Sequence, residues 1–250
     1  MIKAVAFVFS AFLFISSGAL AGAPKEIVIG MGNFEPYFTE KGNTGIFADL
    51  ITAIFDHMPD HKPVFKYGFA MESAWKGYEN GNIDAIANLF DTVDLGGCRT
   101  DLVFRFNDVA VSRLSDNFEI KSIQDLDQNN VVAFQGAKVF FGEDYSKAVA
   151  SGDYIEVGKP ALQAKMLHMN RADVSVGDLY IFLQSLRTIN DVDAIPGFFK
   201  IHEIFPQILS RMGFRDESLC EPFNAGLKKI RQSGEYEAIY DRYLDKYGYK

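Results

Sequence analysis

The chain is poor in the residues from which metal centres and covalent catalysts are built. It has two cysteines and four histidines in 250 residues. His57 and His61 stand four apart, but Pro59 between them breaks the helix that would place both on one face. With His168 and His202 far away in sequence, no metal constellation forms. No Gly-x-Ser-x-Gly, Walker or dinucleotide-binding motif occurs, and no nucleophile–base pair can be named. The expectation is a non-enzymatic protein with no cofactor. Positive charge is also in deficit: 25 Lys and Arg against 33 Asp and Glu leave a formal charge of −8. That balance argues against nucleic acid and anionic membrane surfaces as partners. Cys98 and Cys220 fit one disulfide in an oxidising compartment, and they fit two unpaired core thiols as well.

What is present points elsewhere. Hydrophobic residues make up 48% of the chain, enough for a packed core in one large domain or two small ones. Residues 1–21 read as a signal peptide: Lys3, an apolar run from Ala4 to Ile15, and small-x-small sites at Ala19-Leu20-Ala21 and Ala21-Gly22-Ala23. This run is short for a membrane span, and no later run of ~18 apolar residues follows. The expected location of the mature, soluble protein is the periplasm.

Strands and helices alternate along the chain. Ile27-Val28-Ile29 reads as a strand, 46–58 as a helix ended by Pro59, and 64–69 as a second strand. A helix over 72–80 closes at Gly81-Asn82 and leads into a strand over 83–89. Between the first strand and helix lies a loop with a polar Lys41-Gly42-Asn43 turn. Further on, 104–114 reads as extended, 131–134 as a strand, 139–150 as a helix, 154–157 as a strand, 161–170 as a helix and 172–178 as a strand. A helix over 179–186, an irregular stretch over 195–206, an extended segment over 208–214 and two closing helices complete the chain. The order found near 64–89 recurs near 154–178. Two copies of one construction predict two α/β lobes with a ligand cleft between them.

Several motifs resemble the bacterial extracellular solute-binding proteins of family 3, the periplasmic amino-acid-binding proteins. They are Gly45-Ile46-Phe47-Ala48-Asp49-Leu50, Trp75 with Gly81-Asn82-Ile83-Asp84, Arg99 with Phe104, Ser122 to Leu126 with Val131 to Gly136, Asp173 with Asp178, and Asn224 with Ser233-Gly234. The resemblance implies two Rossmann-like α/β lobes joined by two crossover strands. Lobe 1 would comprise 24–111 and 207–250, and lobe 2 would comprise 112–206. It further implies a monomer that closes by a hinge on an amino-acid-like ligand and delivers it to an ABC permease.

The resemblance carries over a set of ligand-binding positions. Arg99 would grip a carboxylate and Asp178 an ammonium. Gly136 and Ala137 would offer backbone N–H groups at a helix start. Tyr37 and Phe38 would stack on the ligand, and Asn88 and Phe90 would line the cleft. Read from the residues alone, the alternative for Arg99 is a surface arginine in a polar loop, and Asp178 is equally a helix N-cap. Asp84 and Asp173 read as turn-ordering residues. Asp94 and Gly96 stand where the family carries hydroxyl residues. Two alternatives share the scaffold: a sensory or partner-binding domain, and a cyclohexadienyl-dehydratase-like enzyme with Glu35, Asp94 or Asp178 as its acid.

Overall fold

The computed structural model describes residues 22–32, 34–39, 44–68, 71–189 and 196–249. The expected signal peptide and the Lys41-Gly42-Asn43 turn lie outside these residues, as does Ile195 at the start of the expected irregular stretch. Among the described residues no helix is long and apolar enough to cross a membrane.

The first part of the chain runs β1 (Lys25–Gly30), α1 (Ile46–Phe55), β2 (His61–Lys66), α2 (Met71–Glu79), β3 (Ala85–Leu89), β4 (Cys98–Arg99) and β5 (Phe104–Phe106). The middle runs β6 (Asp108–Arg113), β7 (Val131–Phe134), α3 (Ala137–Phe141), α4 (Glu143–Ala148), β8 (Tyr154–Val157), α5 (Pro160–His168), β9 (Val174–Asp178), α6 (Leu179–Leu186) and β10 (Phe199–His202). The chain closes with β11 (Ile208–Phe214), α7 (Cys220–Gln232) and α8 (Glu235–Lys246).

These elements make two sheets. The first has the order β2-β1-β3-β11-β4, with β5 also paired to β11. The second has the order β10-β6-β9-β7-β8. In each, parallel strands joined by helices form one side and an antiparallel strand returns the chain. The chain passes between sheets twice, from β5 to β6 at Asn107 and from β10 to β11. The two crossovers run side by side: β5 pairs with β11, and β6 pairs with β10.

The core explains the layering. β3, between the parallel β1 and the antiparallel β11, is buried on both faces, as a central strand covered by helices should be. Ala85 and Ala87 face the cluster that includes Ile51, Phe223 and Tyr240 of α1, α7 and α8. Ile86 faces Ala74 and Tyr78 of α2. The first cluster continues through Leu167 of α5 and Leu183 of α6, so both lobes share apolar contact. A separate cluster around Val131, Ala133, Tyr145 and Val149 packs α3 and α4 onto the second sheet.

The structure differs from the sequence expectations in a few places, each with a local cause. The change of sheet falls at Asn107, because β6 pairs with β9 from Asp108 onward, a few residues before the boundary expected between 111 and 112. β2 begins at His61 and includes Pro63, which a sheet-edge strand accommodates. The helix expected over 139–150 is two short helices, parted at Gly142, whose φ of +85° ends the first. The stretch expected to be irregular contains β10, held to β6 by the ladder from Phe199↔Arg113 to His202↔Ala110.

Cys98 and Cys220 form a disulfide with Cα atoms 6.2 Å apart. It ties β4 to the first residue of α7. Asp84 and Asp173 occupy equivalent turns. Val28 N donates to Asp84 Oδ2 at 2.9 Å in the first lobe, and Asn130 N donates to Asp173 Oδ2 at 2.9 Å in the second.

Candidate functional site

A cavity of about 270 Å³ lies where the lobes meet. The first lobe supplies Asn88 and Phe90 from the end of β3 and Phe106 from β5. The second supplies Asp108 and Val111 of β6, Ser175 and Asp178 of β9, and Ile181 and Phe182 of α6. Phe134, Phe140 and Gln163 close it from β7, α3 and α5. The contributing ends of β3, β7 and β9 are carboxyl ends of parallel strands, where ligand crevices of open α/β sheets form.

The wall is dominated by phenylalanine. Phe90 and Phe106 are stacked, with centroids 6.3 Å apart and planes inclined by 22°. Phe134 and Phe140 meet edge to face at 5.5 Å. The polar groups are few and mostly engaged. Asn88, in the left-handed region at φ +63°, accepts from Ser210 Oγ through Oδ1 at 2.6 Å. With its amide oriented to donate to the Val176 carbonyl (3.1 Å) and accept from Phe134 N–H (3.2 Å), Gln163 links α5 to β7 and β9.

Two carboxylates complete the lining, and they are direct cross-strand partners: Asp108 of β6 stands opposite Asp178 of β9. Asp178 is the N-cap of α6, and its Oδ1 accepts from Ile181 N at 3.0 Å. Its Oδ2 accepts from Asn107 N at 2.9 Å and from Tyr37 Oη at 2.5 Å. Burial outweighs these bonds and pushes its pKa up to about 6. Asp108 is only 5% exposed, and its Oδ2 has no hydrogen-bond partner among the described residues. Burial first, and the facing Asp178 charge second, push Asp108 up to about 7.

Of the positions carried over from the resemblance, Asn88, Phe90 and Asp178 are brought together on the cavity wall. The others sit elsewhere for visible reasons. Arg99 lies outside the lining: its guanidinium donates to the Phe90 carbonyl at 3.3 Å and to the Val93 carbonyl, holding the loop after β3. Gly136 N and Lys138 N, at the start of α3, donate to Glu156 Oε2 and Oε1 at 2.8 and 3.1 Å. The chain's own carboxylate therefore fills that amide cradle, and the Gly136 N–H bond is the main cause holding Glu156 below its ordinary pKa. Ala137 is buried in the second-lobe core. Tyr37 stands behind the wall, fully buried, with its ring against Phe47 at 4.4 Å and Phe106 at 4.8 Å. Phe38 is a core residue, edge to face with Phe34 and Phe47.

Sequence reasoning missed Asp108, Ser175 and most of the phenylalanines. A signal existed for Ser175, a polar residue between Val174 and Val176 in an apolar run. Among the described residues no group of His, Cys, Asp and Glu is arranged to hold a metal ion.

No protein-family model matches the chain, and no curated protein matches it. Solved structures do. An ancestral cationic amino acid solute-binding protein is 16% identical with a TM-score of 0.69, over 87% of this chain and 95% of that one. The second substrate-binding domain of a putative amino acid ABC transporter from Streptococcus pneumoniae is 20% identical with a TM-score of 0.67, over 88% and 100%. A histidine kinase sensor domain similar to periplasmic binding proteins is 19% identical with a TM-score of 0.59, over 89% and 97%. The two mixed α/β lobes and their paired crossovers give this chain the type II periplasmic-binding-protein fold.

Proposed function

We propose that the protein captures a small solute in the cavity between its lobes. The observation that carries this reading is the cavity itself: both lobes contribute to it, and it lies at the carboxyl ends of β3, β7 and β9. At about 270 Å³ it falls just below the usual range of ligand pockets, roughly 300 to 1,000 Å³, and so suits a small solute. Asn88, Phe90 and Asp178 belong to the binding wall. Tyr37, Phe38, Arg99, Gly136 and Ala137 support it from behind. Hinge motion at the β5–β6 and β10–β11 crossovers gives entry and exit. Periplasmic residence and delivery to an ABC permease fit this scaffold, and the solved structures of amino-acid-binding proteins favour an amino-acid-related solute.

A second reading, sensing rather than transport, draws on the likeness to a kinase sensor domain and on the internal engagement of Arg99 and of the Gly136 amide. Binding is preferred to catalysis. Of the three carboxylates named for the dehydratase-like alternative, Glu35 accepts from Gln184 Nε2 at 3.1 Å, Glu35 and Asp94 do not line the cavity, and Asp178 is hydrogen-bonded by three donors.

Thermal unfolding with a panel of amino acids, amines, carboxylic acids and neutral aromatics tests the capture reading. A solute at 100 times its dissociation constant adds about 2.7 kcal/mol of stability. A shift with at least one class that is lost in Phe90→Ala supports capture. A panel without any shift at millimolar concentration contradicts it.

A further inference from the structure

The cavity wall selects for charge type. Among the described residues it carries two carboxylates, Asp108 and Asp178, and no Lys, Arg or His. The groups nearby that would recognise an anion are already used inside the protein. Arg99 is bound to the Phe90 and Val93 carbonyls. Arg105 makes a two-pronged bond to Glu237, at 2.9 and 2.7 Å, and lies over the Tyr240 ring. The amides at the start of α3 hold Glu156. A carboxylate entering this cavity would find two carboxyl groups and, among the described residues, no Lys, Arg or His on its wall.

The opposite charge meets a different surface. Asp108 lines the cavity with 5% of its surface exposed, and its Oδ2 meets no hydrogen-bond partner among the described residues. Unpaired buried polar atoms are rare because each costs the desolvation of that atom. A ligand cation against the exposed part of this carboxylate would offset its burial. Asp178 is different, since its two oxygens already accept from Ile181, Asn107 and Tyr37. The remaining wall consists largely of phenylalanine faces and edges, and aromatic faces attract organic cations. A buried ammonium is tolerated only when paired, which Asp108 provides.

We propose that the cavity binds a small organic ammonium with an apolar, ring-sized body and no carboxylate, its nitrogen paired with the Asp108 carboxylate and its body held between the Phe90–Phe106 and Phe134–Phe140 pairs. This rests on the solute-capture reading and narrows it from amino acids to amines. Asp108 then acts as the specificity-determining residue.

Calorimetric titration of the full chain with four probes tests it: benzylamine, benzyl alcohol, phenylacetate and phenylalanine. A charge-assisted bond to a buried carboxylate predicts benzylamine binding about tenfold to a hundredfold tighter than benzyl alcohol. Asp108→Asn, close to isosteric, removes that preference. The wild-type comparison decides the matter if this variant does not fold. Equal or tighter binding of the alcohol, phenylacetate or phenylalanine overturns the ammonium assignment and leaves solute capture standing. Absence of binding by all four probes overturns the ammonium assignment and counts against capture as well.

Discussion

Tyr37 of the first lobe donates its phenol hydrogen to Asp178 of the second across 2.5 Å, with both side chains buried. This bond reaches from the loop before α1 to the N-cap of α6. It fixes the carboxylate that stands opposite Asp108, so it bears on the cavity's electrostatics and on the contact between lobes.

Tyr37→Phe removes the donor and keeps the ring. Asp178 then retains Asn107 and Ile181 as donors. The expected cost is about 1–3 kcal/mol in urea unfolding at pH 8, the usual penalty for a lost bond to a charged, buried acceptor. Because the bond favours the ionised carboxylate, the cost is smaller at pH 5, below the value of about 6 to which Asp178 is raised. An equal cost at both pH values contradicts this assignment.

Stability itself should depend on pH. Asp108 and Asp178 have folded pKa values raised to about 7 and about 6, from an ordinary value of 3.8. A raised carboxyl contributes stability fully present below its unfolded pKa and lost as pH rises through its folded pKa. Unfolding midpoints should therefore fall between about pH 4 and pH 7. The groups facing the pair are Tyr37 from the loop before α1 and Tyr180 from α6, both with pKa values pushed up and neutral in this window. Asp108→Asn should raise the midpoint at pH 8 and flatten the slope. An unchanged slope in that variant contradicts the pairing.

The disulfide closes a span of 122 residues between β4 and α7. Replacing Cys98 and Cys220 with serine should cost about 2–5 kcal/mol, as measured when native disulfides are removed from small secreted domains. Chemical denaturation of the double variant measures this. A loss under 1 kcal/mol, on the order of a surface substitution, contradicts it.

Glu156→Ala frees the Gly136 and Lys138 amides. Glu156 is largely solvent-exposed, so the expected loss is modest, about 0.5–1.5 kcal/mol. Amide hydrogen exchange at Gly136 should accelerate in the variant. Unchanged exchange there shows that Glu156 is not the partner that protects it.

Much of the element order was legible in the sequence, because Gly81-Asn82, Pro59 and the alternating apolar runs punctuate it clearly. β10 was not. Its four residues, Phe199–His202, lie between Pro196-Gly197 and Pro206, and the breakers masked a strand made by pairing with β6. Asn88, Phe90 and Asp178 were legible as strand-end residues. Asp108 was not, because its meaning comes from the register that sets it against Asp178, 70 residues later. Glu156 was also hidden: it is 20 residues from Gly136, and only the parallel pairing of β7 with β8 brings the two together.

The central claim is that a solute occupies the cavity between the lobes. Methyl and aromatic NMR of the full chain, titrated with benzylamine and then with any solute that raises the unfolding midpoint, tests it most directly. Occupancy predicts saturable shifts of Val111 and Ile181 methyls together with the Phe90 and Phe106 rings, groups from both lobes, while Ile230 on the buried face of α7 stays unmoved. Binding that shifts resonances elsewhere and leaves Val111, Ile181 and both rings in place contradicts the account.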